Sequence, residues 1–224
     1  MTIVVVSTAF NPPAKARKLC EASVRAQTVK AKHFYVDAGS PLTSLDCEAG
    51  APCLANLTRM IKAWPPDTII VWLDGDDWLA HPGVLARVQE RYDVGAEVTY
   101  GSYITADGTK GIARPFQHNV FGEVEWRRHQ WVFTHLKTFR AGLFQRINVE
   151  RDLKVNGEWI TSACDVAVMF PILEMAGPDR VSFIAETLCV YNFRNSGQVK
   201  DPEHRRNEMA FEAYVRGLEP YKPC

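Results

Sequence analysis

Apolar residues open the chain as an unbroken β-branched run, Ile3-Val4-Val5-Val6, followed by Ser7 and Thr8. The run is too short for a helix, and its continuity predicts a strand covered on both faces. It closes at Asn11-Pro12-Pro13. Between Ala14 and Thr28 the pattern changes: Leu19, Cys20, Ser23 and Val24 form one stripe at helical spacing among Lys15, Arg17, Lys18 and Arg25. His33 to Val36 predicts a second strand, ended by Asp37-Ala38-Gly39-Ser40, and a polar loop then runs to about Cys53. Leu54, Leu57 and Ile61 mark a short helix that stops before Pro65-Pro66, and Ile69 to Leu73 is the clearest strand of the chain. That strand runs straight into Asp74-Gly75-Asp76-Asp77.

Strand, helix, strand, helix, strand predicts an α/β fold with an open, mostly parallel central sheet and helices on both faces. In such sheets ligands sit beyond the carboxyl ends of the strands. The polar clusters Ser7 to Asn11, Asp37 to Ser40 and Asp74 to Asp77 all fall at those ends, so they are expected to line one crevice. The second half is less regular. Pro82 can open a helix carrying Val84, Leu85 and Val88, and Val98-Thr99-Tyr100 suggests a strand followed by a hairpin around Asp107-Gly108. Residues 111–135 have many aromatics and no clear period, which predicts loop. Helices are expected over 138–147, 162–176 and 203–217, with short strands at 181–185 and 188–193. Pro171 should kink the second of those helices or divide it. Nothing resembles a linker, so a single domain is expected, with residues 1–110 and 111–224 as its two halves.

Composition narrows the function. The 224 residues include 26 Lys plus Arg and 26 Asp plus Glu. That balance leaves no global positive field to hold a nucleic acid, and any anionic ligand must be met locally. The longest apolar runs fall far short of the roughly 20 residues that span a bilayer, and no basic leader precedes the first of them. Six cysteines lie without a CxxC pair. Zinc spacing is therefore absent, and reduced thiols in a cytoplasmic chain are the reading they favour. Cys47 and Cys53 flank a segment short enough for a disulfide to close instead.

Candidate chemistry concentrates after the third strand. Asp74, Asp76 and Asp77 place three carboxylates within four residues, where they repel one another unless a cation intervenes. Mg²⁺ and Mn²⁺ suit such oxygen donors and commonly bridge them to phosphate. The alternative is a solvated turn in which Asp77 caps the next helix. Asp165 likewise has two readings. It can be a general base, or it can close the Ser162-Ala163-Cys164-Asp165 capping pattern at a helix start. His118, His129 and His135 lie among aromatics, where packing is commoner than metal ligation, and nothing in the sequence around His204 requires a metal role. Trp126, Trp131 and Phe133 are core candidates before they are a sugar-stacking face.

Val71 to Leu79, with its Asp-x-Asp, resembles the corresponding strand and motif of family 2 glycosyltransferases of the GT-A fold. Val5 to Asn11 resembles that family's opening strand, Ser23 with Gln27 its "S…Q" helix, and Val36-Asp37-Ala38-Gly39-Ser40 its "VDDGS" turn. Asn56, the segment His135 to Arg140, the helix from Asp165 to Gly177, Val190-Tyr191-Asn192 and Val215 to Tyr221 come in the family's order. The resemblance implies a single GT-A domain that moves a sugar, with inversion, from a nucleotide-diphosphosugar to a hydroxyl of a glycan or other acceptor. Residues 1–110 would bind the donor, a UDP-sugar being favoured, and residues 111–224 the acceptor. On this resemblance Asp37 faces the base and Asp74 the ribose or sugar, while Asp76 binds Mn²⁺ or Mg²⁺ on the diphosphate. Asp165 is the base that deprotonates the acceptor. Thr8, Asn11 and Asn56 line the donor site. Lys137, Arg140 and Arg194 carry positive charge that could neutralise the diphosphate, the alternative for each being a solvated or surface-paired side chain. Ala38 replaces the second acidic residue of the turn, and residues 41–53 depart from the family pattern. The alternatives are a nucleotidyltransferase that makes sugar nucleotides, or a binding domain that keeps the fold without the chemistry. Against the first, Ser7 to Pro13 contains no glycine and no basic residue for a phosphate loop.

Overall fold

The computed structural model describes residues 1–37, 51–120, 123–192 and 202–224. Its centre is a seven-stranded sheet. In chain order the elements of the first half are β1 (Ile3–Ala9), α1 (Ala14–Arg25), β2 (Lys32–Asp37), α2 (Cys53–Lys62), β3 (Ile69–Asp74), β4 (Trp78–Leu79), α3 (Val84–Asp93) and β5 (Val98–Thr105). The second half adds β6 (Lys137–Arg140), α4 (Ala141–Gln145), α5 (Val149–Asp152), the small hairpin β7 (Lys154–Val155) and β8 (Glu158–Trp159), α6 (Cys164–Ala176), β9 (Val181–Tyr191) and α7 (Pro202–Gly217).

The strand order is β2-β1-β3-β6-β5-β9-β4. Pairs β1/β2, β1/β3 and β5/β9 are parallel, whereas β6 runs antiparallel to both β3 and β5, and β4 antiparallel to β9. Because β6 reverses, its first residue lies near the carboxyl end of β3, while β5, which pairs with β6 only through Val98 and Thr99, runs on past it in the same direction as β3. Lys137 stands opposite Trp72, two residues before Asp74. The carboxyl ends of β1, β2, β3, β5 and β9 and the amino end of β6 thus share one edge of the sheet, where Asp37, Asp74, Asp76, Asp77 and Lys137 lie.

Alternation along β3 shows why its sequence is continuously apolar. Ile70 and Trp72 face a core shared with α2, α4 and α6, whereas Ile69, Val71 and Leu73 face a second core shared with α1 and α3. All five are at most 2% exposed, and each large apolar side chain buried in this way contributes roughly 1.5–3 kcal/mol. The sheet is therefore covered on both faces by helices, as expected. Within α1 the buried positions are Ala16, Cys20 and Val24, while Leu19 turns outward at 39% exposure.

Several expectations are corrected. Residues 137–140 form strand β6, not the start of a helix, because Thr138 and Phe139 are wholly buried between β3 and β5 and complete the sheet. The helix there is only α4. The two short strands expected after residue 180 are one strand, β9, whose pairing with β5 shifts register around Ser102 and absorbs the break in pattern. Pro171 lies inside α6 without dividing it. The aromatics pack as expected: Trp126 and Phe133 are buried core residues, and Trp131 packs edge-on against Phe133 and Phe170. Among the described residues, Cys20, Cys53, Cys164, Cys189 and Cys224 are free thiols. Cys47 lies outside them, as do Ala38, Gly39, Ser40 and Arg194. No helix among the described residues is long and apolar enough to cross a membrane.

Candidate active site

The turn after β3 is held by its backbone. Asp77 N–H donates to the Asp74 carbonyl at 3.0 Å, and Gly75 N–H to the Thr8 carbonyl at 2.9 Å. Gly75 is required by crowding: a Cβ there would lie 2.7 Å from Ala9 Cβ and 2.8 Å from Tyr35 Oη. Tyr35 donates its hydroxyl proton to the Gly75 carbonyl at 2.6 Å. The far strand clasps the same turn, with Asn192 N–H donating to Asp77 Oδ1 at 2.8 Å and Asn192 Nδ2 to the Asp76 carbonyl at 3.2 Å.

Three ligand-type atoms converge here, from Asp74, Asp77 and His135, all within 4.8 Å of one another. His135 Nε2 lies 2.9 Å from Asp74 Oδ2 and 3.6 Å from Asp77 Oδ2. Asp77, whose side chain is fully buried, does not cap α3: the cap position of that helix is Gly83, with no side-chain hydrogen bond. Burial and the neighbouring Asp74 charge push the Asp77 carboxyl well above the usual range, against the Asn192 N–H that favours its ionised form. Burial would also raise Asp74, yet the Lys137 charge and the His135 hydrogen bond hold it well below its ordinary value. Asp76, half-buried and outside the converging group, is raised by burial and by Asp74. Two carboxylates and an imidazole nitrogen within reach of one another, with a third carboxylate next in the chain, fit a divalent cation.

Lys137 is the buried counter-charge, only 2% exposed. Burial would lower its pKa, but Asp74, Asp165 and Asp77 together raise it, so it stays an ammonium. Its Nζ lies 4.9 Å above the Trp72 ring and 4.0 Å from Asp165 Oδ2. Trp72 in turn donates Nε1–H to Thr8 Oγ1 at 3.2 Å. Asp165, the second residue of α6, accepts the Val166 N–H on Oδ1 at 2.9 Å. The capping pattern expected of Ser162 does not form. The cap position is Ala163 in the left-handed region at φ 55°, and Ser162 Oγ meets His204 Nδ1 at 3.3 Å.

On the other side of β1, Asn11 adopts φ 48°, a conformation asparagine tolerates better than most residues. Its N–H donates to Asp37 Oδ1 at 3.0 Å, so Asp37 and Asn11 form one edge of the crevice. Asn56 is fully buried in α2 and donates Nδ2–H to the Ala51 carbonyl at 3.3 Å. Arg140 is a correction. It pairs with Ile69 at the opposite end of β3, lies over the Tyr92 ring and donates to the Asp67 carbonyl, so it is remote from Asp74. The sequence favoured packing for His135 and left Asp77 as a cap candidate, whereas the structure brings both beside Asp74. The signal that would have found His135 is its place two residues before Lys137, once residues 137–140 are recognised as a strand beside β3.

This is an α/β domain of GT-A architecture. No family model matches the chain, and none of the curated proteins matches it in sequence. Among solved structures it is similar to S. aureus TarS residues 1–349, with a TM-score of 0.64 at 17% identity, covering 98% of this chain and 67% of that one. The same TarS segment in complex with UDP-GlcNAc gives a TM-score of 0.65 at 12% identity, covering 99% of this chain and 68% of that one. A further structure of that segment is a complex with UDP, at a TM-score of 0.64 and 17% identity, with 98% and 67% covered.

Proposed function

We propose that the chain is an inverting, metal-dependent glycosyltransferase that moves a sugar from a UDP-sugar to a hydroxyl of a glycan or other acceptor. The observation that carries this reading is the crowded edge where ligand atoms of Asp74, Asp77 and His135 converge, with the buried Lys137 between that edge and Asp165. The fold shared with a chain that binds UDP and UDP-GlcNAc supports the choice of donor.

The donor lies along the edges of β1, β2 and β3. Asp37, oriented by the Asn11 N–H, accepts from the base, and uracil N3–H supplies a suitable donor. Asp74 faces the ribose or sugar, with Thr8 and Asn56 completing the wall. Asp76 ligates Mn²⁺ or Mg²⁺; a second arrangement, favoured by the converging atoms, uses Asp74, Asp77 and His135. The ion, when bound, neutralises the diphosphate as negative charge grows on it. Lys137 adds a fixed positive charge beside that leaving group in a dry setting, where it acts more strongly than in water.

Asp165 takes the proton of the attacking hydroxyl. The division of labour follows from charge: the leaving group accumulates negative charge on the Asp74 to Asp77 side, so the proton acceptor must stand across the sugar. One displacement then inverts the anomeric centre. Calorimetric titration of UDP with and without Mn²⁺ tests the donor half of the reading: binding that appears only with the ion is expected, and a chain that binds UDP in neither condition would overturn it. UDP-sugar binding with neither metal-dependent hydrolysis of the donor nor transfer to any acceptor would favour the binding-domain alternative.

A further inference from the structure

Strand polarity leaves one flank of the crevice without a role in the reading above. The base side lies on β2 and β1, and the carboxylates stand at β3. Beyond β6 the same edge continues to the ends of β5 and β9, where Thr105 pairs with Tyr191. A cavity of about 340 Å³ opens there, lined by Tyr103, Tyr191, Thr105, Asp107, Thr109 and Lys110. That volume sits at the low end of the roughly 300–1,000 Å³ usual for small-ligand sites.

The cavity is built onto the carboxylate cluster. Tyr103 meets His135 edge-on with ring centroids 5.4 Å apart, and Tyr191 lies against the same imidazole at 4.9 Å. Tyr103 and Tyr191 also meet edge-on at 5.4 Å. The backbone of Gly111 comes so close to the Tyr103 ring that a Cβ would collide with it at 2.3 Å, which fixes the ring in place. Tyr191 is anchored by its neighbour Asn192, which holds Asp77. The rim is equally organised. Asp107 accepts the Thr105 hydroxyl and the Thr109 N–H, and Ile104 bridges to Lys110 across the turn.

We infer that this cavity is a subsite for one uncharged pyranose ring of the acceptor, an inference that rests on the sugar-transfer reading. The chemistry of the lining selects that ligand. Aromatic rings offer apolar faces to the C–H face of a sugar, while Thr109, Asp107 and Lys110 supply donors and acceptors for its hydroxyls. One carboxylate and one ammonium cancel in charge, which disfavours a phosphate and suits a neutral polyhydroxylated ring. Its place beside His135, on the far side of the carboxylates from Asp37, suits a glycan extending away from the reacting hydroxyl.

The test is saturation-transfer NMR on the whole chain with the methyl pyranosides of glucose, galactose, mannose and N-acetylglucosamine, without UDP or Mn²⁺. At least one should bind, and UDP with Mn²⁺ should not displace it. Tyr191→Ala should weaken that binding about tenfold, the worth of one good aromatic contact, and Tyr191→Phe should retain it. Thr109→Trp, at an exposed turn position, should block the cavity while leaving the core untouched. If no pyranoside binds, if UDP competes with it, or if Thr109→Trp binds as well as the parent, the subsite does not exist. Titration of UDP and Mn²⁺ into Tyr191→Ala and Thr109→Trp keeps the outcomes separate: weakened or lost sugar binding with intact UDP binding is the expected result. Failure of UDP to bind the parent would overturn the donor reading instead.

Discussion

His135 Nε2 lies 2.9 Å from Asp74 Oδ2 although 61 residues separate the two. The contact exists because β6 runs back along β3, bringing the segment just before Lys137 to the end of the strand that carries Asp74. It joins the most recognisable motif of the first half to a histidine in a stretch without periodicity, and it makes the ion's ligand set an experimental question with distinct answers.

Asp76→Ala is expected to abolish Mn²⁺-dependent UDP binding in calorimetry while leaving the denaturation midpoint unchanged, since Asp76 lies on a turn outside both cores. His135→Ala, measured alongside, should retain most of the binding. The reverse pattern would move the ion to Asp74, Asp77 and His135.

Asp165→Asn keeps an oxygen for the Val166 N–H but has no base to offer. Transfer should slow by about 10²–10⁴, the usual worth of general-base assistance, with UDP affinity nearly unchanged. Transfer at the parental rate, or a product that keeps the donor's anomeric configuration, would rule out the base and the inverting displacement.

Arg127 and Glu174 form a buried bidentate pair, at 2.6 and 2.9 Å, with side chains only 4% and 2% exposed. Arg127 also holds the Val215 carbonyl, and Glu174 the Tyr221 N–H, so the pair ties α6 to the C-terminal segment. Arg127→Met should cost about 3–5 kcal/mol at neutral pH, because it strands a buried carboxylate. Burial already raises the Glu174 pKa, so the loss should shrink at pH 5, where the stranded carboxyl protonates. Urea denaturation at both pH values reads the difference. Adding Glu174→Leu should recover part of the loss, and an equal deficit in the double variant would deny the pair its proposed weight.

Burial lowers the His33 pKa to about 4, opposed by Glu21 and assisted by Arg25, and its Nε2 lies 3.0 Å from Ser7 Oγ. The unfolded imidazole takes up a proton below about pH 6.5, whereas the folded one does so only near 4. The stabilising neutral state is thus fully effective above 6.5 and is lost progressively as pH falls from 6.5 to 4. The loss within that window is up to about 3 kcal/mol. His33→Gln should flatten this part of the stability profile relative to the parent. Parallel profiles for the two proteins would show that His33 does not control it.

The sequence by itself determined the first half of this protein. Ile3 to Val6 and Ile69 to Leu73 are apolar at every position because both faces of the sheet are covered, and polar residues at strand ends announce the crevice without any tertiary information. Thr8, Asp37 and Asp74 could be placed there because consecutive parallel strands connected by helices put their carboxyl ends on the same side.

Only the tertiary structure decided the rest. Residues 137–140 carry no strand pattern of their own, since a four-residue strand inserted between β3 and β5 takes its conformation from its neighbours. With that strand hidden, neither the buried ammonium of Lys137 nor the approach of His135 was legible. The role of Asp77 was equally inaccessible: its partner Asn192 lies 115 residues away. Local periodicity reports which face of an element is dry. Which charges meet inside depends on the register between strands distant in sequence, and that register is set by packing.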